Sequence, residues 1–268
     1  MKRREFLTSS IATAGLGTLL AGSAADARET VSPAAREFYE LRLYHLRRGP
    51  QTELFDHFYS QAAIPALNRA GVDRVGVFNV AVGPESPTMY VLLAHKSLES
   101  IAATADRLAA DADYLKAGAE FIDAPSTNPA YLRVESSLMA AFAGMPKLEV
   151  PALAAGNKPR LFELRTYESH SNKANKKKIE MFNRGEIAIF RRNGVQPVFF
   201  GETLIGTRLP NLTYMVVFEN PAAHDKNWAA FVADPEWTKL RATPGYADAD
   251  IVSNISNVFL RPAPYSQI

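Results

Sequence analysis

Polar and apolar positions along the chain follow one pattern that occurs twice. Residues 40–44, Glu-Leu-Arg-Leu-Tyr, alternate polar and apolar side chains as a half-buried strand does, and residues 163–167, Glu-Leu-Arg-Thr-Tyr, repeat the pattern 123 positions later. One shift that holds over about seventy residues indicates a supersecondary unit that is built twice. The same shift relates Gly71-Val72 to Gly194-Val195, Gly83 to Gly206, and Asp111 to Asp234.

Each copy predicts the same order of secondary structure. The motif strand is followed by a helical stretch that ends at Gly71 in copy one and at Gly194 in copy two, because glycine suits a left-handed C-terminal cap. Two strands joined by a turn, a second helical stretch and a final strand complete each copy. This order is that of the ferredoxin-like βαββαβ unit.

The first helical stretch differs between the copies. In copy one, Pro65 predicts a kink or two shorter helices within residues 51–70, because proline removes a helical hydrogen bond. The matching stretch of copy two, residues 172–192, has no proline. Its apolar spacing predicts a buried stripe made of Ile179, Phe182, Ile187 and Phe190.

The chain is therefore predicted to be an α+β protein with two tandem ferredoxin-like units. The first spans residues 38–142 and the second residues 160–262, joined by a linker of residues 143–159 that is rich in proline and glycine. A four-stranded sheet with helices on one face leaves its other face bare. We expect the two sheets to pack against each other within one chain, as identical subunits do in a dimeric α/β barrel.

The first 27 residues are predicted to be an export signal. Arg3-Arg4 followed by Phe6-Leu7 resembles the twin-arginine signal of bacteria, and small residues up to Ala27 predict cleavage after that position. An ordinary secretory signal and a retained N-terminal anchor are the alternatives. The chain has no cysteine and hence no disulfide, which suits the export of an already folded protein. We therefore expect a periplasmic or secreted bacterial protein.

Composition and charge argue against several kinds of partner. Without its first 27 residues the chain is close to neutral, so it lacks the basic surface expected for nucleic acid or for an anionic membrane. We expect no stable membrane insertion, and leave open whether chains associate beyond the intrachain pseudo-dimer. The five histidines have no metal-ligand spacing, and neither a metal nor a cofactor is predicted. One charge run is interpreted as a solvated helix face, with a site for an anionic partner as the alternative: Lys173, Lys176, Lys177 and Lys178.

The two motif strands carry the candidate site. Alternate side chains of a strand face opposite ways, so the Glu, Arg and Tyr of each motif share one face. We expect the apolar face to lie under the helices and the polar face to point into the space between the two sheets. The polar set then forms either an internal ion-pair network or a ligand pocket, in which arginine binds an anionic or carbonyl oxygen and tyrosine donates a hydrogen bond. The candidates are Glu40, Arg42, Tyr44, Glu163, Arg165 and Tyr167.

A second distinctive stretch holds both tryptophans. Asp234-Pro235-Glu236 predicts a new helix start, with aspartate as the cap and proline in the first turn. Trp228, Phe231 and Trp237 are expected to pack in the core. The alternative is that they line a pocket mouth, which makes the two tryptophans ligand-binding candidates. Copy one keeps Asp111 but lacks the proline and both tryptophans, so two sites, if both exist, are not equivalent.

These motifs resemble the NIPSNAP family. The resemblance rests on the paired Glu-Leu-Arg-x-Tyr strands, the Gly-Val after the first helix, and the Trp-x-x-Phe-x-x-Asp-Pro-Glu-Trp segment. It is stronger in copy two, residues 160–262, than in copy one, residues 38–142. The resemblance implies the dimeric α/β-barrel fold, here as a tandem pair, and it implies no mechanism.

Three functions follow from the residues and the resemblance. The leading hypothesis is an exported protein that binds a small molecule in the barrel cavity, with Arg42 or Arg165 as the anchor. The second is a cofactor-independent oxygenase or isomerase acting on an aromatic or carbonyl metabolite, so whether the protein is an enzyme stays open. There Arg165 stabilises an oxyanion, Tyr167 donates a proton, and the base is Glu163 or His170. The third is a packed structural or interaction module.

Overall fold

A computed structural model describes residues 36–268, apart from the side chains of residues 155–157. The predicted export signal, residues 1–27 with cleavage after Ala27, lies outside the described residues. Within residues 36–268 there is no helix with the length and apolar character of a membrane span.

The described chain contains two copies of the βαββαβ order. The first copy consists of β1 (Phe38–His45), α1 (Pro50–Phe58), α2 (Ile64–Arg69), β2 (Val75–Val82), β3 (Thr88–His95), α3 (Leu98–Ala110), α4 (Ala112–Ala117), α5 (Ala119–Ile122) and β4 (Arg133–Ala141). The second consists of β5 (Leu161–Glu168), α6 (Asn172–Met181), α7 (Ile187–Arg192), β6 (Gln196–Ile205), β7 (Asn211–Phe218), α8 (Pro221–Ala233), α9 (Pro235–Arg241), α10 (Asp248–Ile251) and β8 (Asn254–Pro262).

The eight strands form one closed antiparallel barrel in the order β1-β3-β2-β8-β5-β7-β6-β4. Each copy contributes four neighbouring strands, and the pairs β2–β8 and β4–β6 join the two copies. Closure hides the face that the helices leave bare and removes the free edges of an open sheet. The predicted fold, two ferredoxin-like units packed as an intrachain dimeric α/β barrel, is confirmed.

The barrel interior is filled by apolar side chains, so the predicted orientation of the motif strands is wrong. Tyr39 and Leu41 of β1 belong to an interior cluster with Phe162 and Leu164 of β5, and all eight strands contribute to it. The Glu, Arg and Tyr side chains of both motifs point outward, toward the helices. Both faces of each sheet are covered, so alternation alone did not show which face lies inside. The narrow interior of an eight-stranded barrel has room for side chains but disfavours unpaired charge.

One π turn interrupts the first helix of each copy. It spans Tyr59–Ala63 between α1 and α2, and Phe182–Glu186 between α6 and α7. Pro65 follows the first of these turns, but the second copy has the same break without a proline. The interruption therefore belongs to the repeated unit and is not caused by the proline. The apolar stripe of the second copy packs in the core, with Phe182, Ile187 and Phe190 buried and Ile179 partly buried.

Helix α9 begins as predicted. The carboxylate of Asp234 accepts hydrogen bonds from the backbone N–H groups of Glu236 at 2.8 Å and Trp237 at 3.3 Å, and proline lies in the first turn. In the first copy, Asp111 accepts a hydrogen bond from the backbone N–H of Tyr114 at 2.9 Å and starts α4 in the same way. These two caps set the positions of Trp237 and Tyr114 over the sheet.

The segment between the copies packs on the barrel. Leu148 and Leu153 lie against the interior cluster, and Ile268 is buried in it. Glu149 pairs with Arg191 through two contacts of 2.8 Å each. The linker and the last residues thus cover the end of the barrel at which β2 and β6 begin.

Candidate functional site

The two Glu-Arg-Tyr sets lie in separate layers, each between the barrel wall and the helices of its own unit. Tyr44 belongs to the apolar cluster beneath α1 and α2, and Tyr167 to the cluster beneath α6 and α7. The six candidate side chains therefore do not converge in one central place. They form two half-sites whose surroundings differ.

In the second unit, Glu163 is fully buried within a closed network. Its Oε1 accepts hydrogen bonds from Nη1 of Arg165 at 2.6 Å and from Nδ2 of Asn257 at 3.0 Å. Its Oε2 accepts a hydrogen bond from the indole Nε1 of Trp228 at 3.0 Å and lies 3.3 Å from Nε2 of His224. The indole also covers Arg165, whose guanidinium carbon lies 4.9 Å from the ring centroid. This half-site matches the ion-pair interpretation.

Lys178 of the second unit is buried, although its charge run was expected to form a solvated face. Its Nζ lies 3.3 Å from a carboxylate oxygen of Glu186 and 3.2 Å from one of Asp248. Burial opposes the charge of this ammonium, but the two carboxylates outweigh burial and raise the pKa of Lys178. Three rings surround Nζ at 5.1–5.7 Å, those of Tyr167, Phe182 and Trp237.

In the first unit, Arg42 holds Glu40 in a two-point contact. The distances are 2.6 Å from Nε to Oε1 and 2.8 Å from Nη2 to Oε2. Glu40 also accepts a hydrogen bond from the hydroxyl of Ser136 at 3.0 Å, and Nε2 of His95 lies 3.7 Å away. The remaining guanidinium nitrogen, Nη1, has no hydrogen-bond partner within residues 36–268, and 27% of the Arg42 side chain is exposed.

A cavity of about 240 Å³ lies over Arg42, between the sheet and the helices of the first unit. Among the described residues that line it, Arg42 is the one charged residue. The rest of the lining is apolar except for phenol hydroxyls, so the cavity combines flat aromatic walls with a few polar atoms, as small-molecule sites do. The aromatic lining residues are Tyr44, Phe58, Tyr59, Tyr114, Phe121 and Tyr131.

Differences between the copies explain why this space is open in one unit and filled in the other. In the second unit, Trp228, Phe231 and Trp237 pack with the sheet and with the helix that contains the π turn. At the 123-residue shift their counterparts are smaller or more polar. They are Ala105, Leu108 and Tyr114, and Glu186 corresponds to Ala63. The non-equivalence expected from the sequence therefore takes the form of one open and one closed half-site.

A small recess lies at the barrel mouth. It measures about 100 Å³, enough for a few water molecules, and it opens above the packed interior. The expected cavity between the two sheets is therefore absent from the part of the chain that the structure describes, apart from this recess. Its polar lining combines the hydroxyl-bearing residues Ser137, Thr166, Thr203, Thr207, Thr213 and Ser256 with Glu135, Arg208 and Asn211.

Several residues of the half-sites differ from those proposed. His170 is exposed and forms no hydrogen bond with Glu163, Arg165 or Tyr167 among the described residues. His224 lies beside Glu163 instead, and it was not singled out because a lone histidine carries no spacing signal. Tyr59 and Tyr114 were also missed, although the 123-residue shift pairs them with Phe182 and Trp237. Within residues 36–268, no cluster of three or more histidine or carboxylate side chains could hold a metal ion.

Glu40 is expected to make the protein sensitive to acid. Burial would raise its pKa, but the nearby imidazole of His95 and the hydrogen bonds from Arg42 and Ser136 outweigh burial and lower the pKa to about 2. A depressed pKa stabilises the folded state above the ordinary value of 4.5, and this contribution is lost as the pH falls toward 2. Glu40→Gln should therefore lower the free energy of unfolding by about 3 kcal/mol at pH 7. The free energies of unfolding of the variant and the wild type should converge near pH 2, as measured by urea unfolding at a series of pH values.

The control is the exposed pair of Asp73 and Lys96, whose side chains lie 2.8 Å apart in solvent. Asp73→Asn should change the free energy of unfolding by less than about 1 kcal/mol at any pH, because exposed ion pairs contribute little. A Glu40→Gln deficit that stays constant from pH 7 to pH 2 would contradict the assigned ionisation of Glu40.

Comparison with known proteins assigns the chain to a family. No curated protein matches it. The fold resembles a candidate monooxygenase from Lactobacillus acidophilus NCFM, with a TM-score of 0.55 and 9% identity over 87% of this chain and 98% of that chain. A candidate monooxygenase from Fusobacterium nucleatum has a TM-score of 0.53 and 10% identity, over 85% of this chain and 93% of that chain. At these identities the likeness shows the fold alone.

Relatives that carry the family name are shorter. A NIPSNAP-like domain protein from Burkholderia xenovorans is 23% identical over 40% of this chain and 88% of its own, with a TM-score of 0.36. The sequence profile of NIPSNAP matches residues 39–140 and again residues 162–267, which together make up most of the chain. The chain thus belongs to the NIPSNAP family, with two copies of its domain in tandem.

Proposed function

We propose that this protein binds a small molecule in the cavity of its first unit, between the sheet and the helices. The observation that carries the proposal is the open space of about 240 Å³ over Arg42, at the place where the second unit is filled by its own side chains. An engineered apolar cavity of about 150 Å³ accommodates benzene, so this space is large enough for a substituted ring or a two-ring molecule.

The polar groups of the cavity support binding of an oxygen-bearing molecule. Arg42 keeps an N–H donor free at Nη1, while its other nitrogens are held by Glu40. The contact with Glu40 orients the guanidinium before a ligand arrives, which reduces the entropy lost on binding. Tyr44 and Tyr59 place phenol rings in the same lining.

A cofactor-independent oxygenase or isomerase working in this cavity is the second candidate. The free donor at Nη1 of Arg42 and the phenol hydroxyls of the same lining favour it, because such groups can stabilise an oxyanion. The described lining contains no carboxylate and no imidazole that could act as a general base. The binding function is therefore preferred over the enzymatic one. Consumption of a bound compound, followed by chromatography and by an oxygen electrode, would establish the enzyme. Binding of every compound without turnover would exclude it for those compounds.

The binding proposal is tested by filling the cavity with residues that the second unit already uses. Leu108→Phe combined with Tyr114→Trp copies Phe231 and Trp237 and should abolish binding of one- and two-ring aromatic compounds in isothermal titration calorimetry. The native protein should bind at least one of them. Native mass spectrometry of protein purified from its own source should show a retained mass that the filled variant lacks.

The matched control is Leu115→Trp, which adds an indole at an exposed position of the same helix. It should leave binding unchanged. Equal binding by the native and the filled protein, with both folded by circular dichroism, would refute the location of the site.

We also propose that residues 1–27 direct export through the twin-arginine route to the periplasm. The adjacent arginines, the small residues before position 28 and the lack of cysteine support this proposal. N-terminal sequencing of the protein from bacterial periplasm should begin at Arg28. Replacing both arginines by lysine should retain the full-length precursor in the cytoplasm, and unchanged export would refute the route.

A further inference from the structure

We infer that the ligand of the first unit is a neutral, planar aromatic molecule that carries a hydrogen-bond-accepting oxygen. The inference rests on the proposed function of this cavity and adds the chemical class of its ligand. It follows from the charges around the cavity, from the comparison with the filled half-site, and from the shape of the walls.

The cavity contains one charge, and that charge is already balanced. Arg42 is the charged residue of the described lining, and Glu40 contacts its guanidinium at two points, 2.6 Å and 2.8 Å. The lowered pKa of Glu40 keeps its carboxylate ionised at neutral pH. An anionic ligand would meet a guanidinium that is already paired and would lie close to the Glu40 carboxylate. A neutral oxygen can accept the free N–H of Nη1 without this repulsion.

A cation is disfavoured by what the first unit lacks. The second unit shows what holds an ammonium in this fold, because Lys178 lies within three rings and beside two carboxylates. The first unit keeps rings at the three matching positions, Tyr44, Tyr59 and Tyr114. It has Ala63 where the second unit has Glu186, so a bound cation would face Arg42 with no carboxylate in the described lining.

The walls favour a flat molecule. Six aromatic side chains line the cavity, and the rings of Phe58 and Phe121 stack at 4.0 Å with an angle of 4° between their planes. The second unit also shows that an aromatic plane fits over the arginine of the motif, since Trp228 covers Arg165 at 4.9 Å. In the first unit the corresponding residue is Ala105, so a ring from outside the chain can take the place of the indole.

Four naphthalene compounds of similar size test the class by isothermal titration calorimetry: 2-acetylnaphthalene, 2-naphthoate, 2-naphthylmethylammonium and 2-ethylnaphthalene. The ketone should bind about tenfold or more tightly than each of the others, because a hydrogen bond from a charged donor corresponds to about that factor. Arg42→Met should remove the difference in affinity between the ketone and the hydrocarbon. Arg74→Met, at an exposed arginine outside the cavity lining, should leave it unchanged.

Glu40→Gln gives a second and opposite test. Loss of the carboxylate leaves the Arg42 charge unbalanced, so binding of 2-naphthoate should tighten about tenfold relative to the ketone. This result would be informative even if Arg42→Met did not fold.

The outcomes separate the ligand class from the binding site. Tightest binding of the naphthoate or the ammonium, or equal binding of the ketone and the hydrocarbon, would overturn the class. If the Leu108→Phe/Tyr114→Trp variant also lost that binding, the site itself would stand. Failure of all four compounds to bind the native protein would overturn the class and remove the support for an aromatic ligand at this site.

Discussion

Lys178→Met is expected to lower the free energy of unfolding by about 3–5 kcal/mol, the range for removing one partner of a buried ion pair. The ammonium of Lys178 lies 3.3 Å from Glu186, and both side chains are almost wholly buried. Methionine preserves much of the volume but leaves the carboxylate of Glu186 among aromatic rings without its cation. Urea unfolding at pH 7 measures the loss.

The double variant Lys178→Met/Glu186→Gln should recover most of that stability. It removes both charges, and buried ion pairs are often replaced by uncharged residues at little cost. Lys177→Met is the matched control, because Lys177 lies one position earlier on α6 and pairs with Glu180 at a more exposed place. Its effect should stay below about 1 kcal/mol. A Lys178→Met variant as stable as the Lys177→Met variant would show that the ion pair is not buried in solution.

Trp237→Ala is expected to cost about 3–5 kcal/mol, the range for removing a buried large aromatic side chain. The indole packs against Phe231 with 4.5 Å between ring centroids and covers Nζ of Lys178 at 5.7 Å. Its removal leaves a void in the closed half-site and uncovers a buried charge. Thermal and urea unfolding measure the effect.

Tyr114→Ala is the matched change in the first unit, at the position that corresponds to Trp237. Tyr114 is only partly buried and borders a cavity that is already open, so the expected cost is about 1–2 kcal/mol. Equal costs at the two positions would mean that the first unit is as tightly filled as the second. In that case the proposed binding site would lose its basis.

The fold could be predicted largely from the repeat. The 123-residue shift defines two copies of one unit, and the structure contains two copies of the βαββαβ order. The glycine stops and the Asp-Pro-Glu helix start are local signals, and each is found where it was expected. Closure of the barrel also followed, because two sheets with one bare face each have few ways to cover it. The break predicted in the first helix of copy one is present, but Pro65 is not its cause, because the same π turn occurs in the second copy without a proline.

The candidate site was predicted less well. Within each motif the glutamate pairs with the arginine, Glu40 with Arg42 and Glu163 with Arg165, but the two motifs do not meet as expected. Their direction was wrong, and the burial of Lys178 was not foreseen. A run of lysines predicts a solvated surface. The burial of Lys178 depends in part on Asp248, which is 70 positions later in the sequence and contacts it only in the folded chain.

By itself the sequence determined the duplication, the order of elements, the family and the non-equivalence of the two copies, because periodicity, caps and motif spacing are properties of neighbouring residues. Only the tertiary structure decided which face of each motif strand lies inside, which lysine is buried, and which half-site stays open. These features depend on contacts between distant segments, above all β2 with β8 and β4 with β6, and on how much volume the helices fill over each sheet. The alternation of polar and apolar residues along one strand carries no information about these contacts or about that volume.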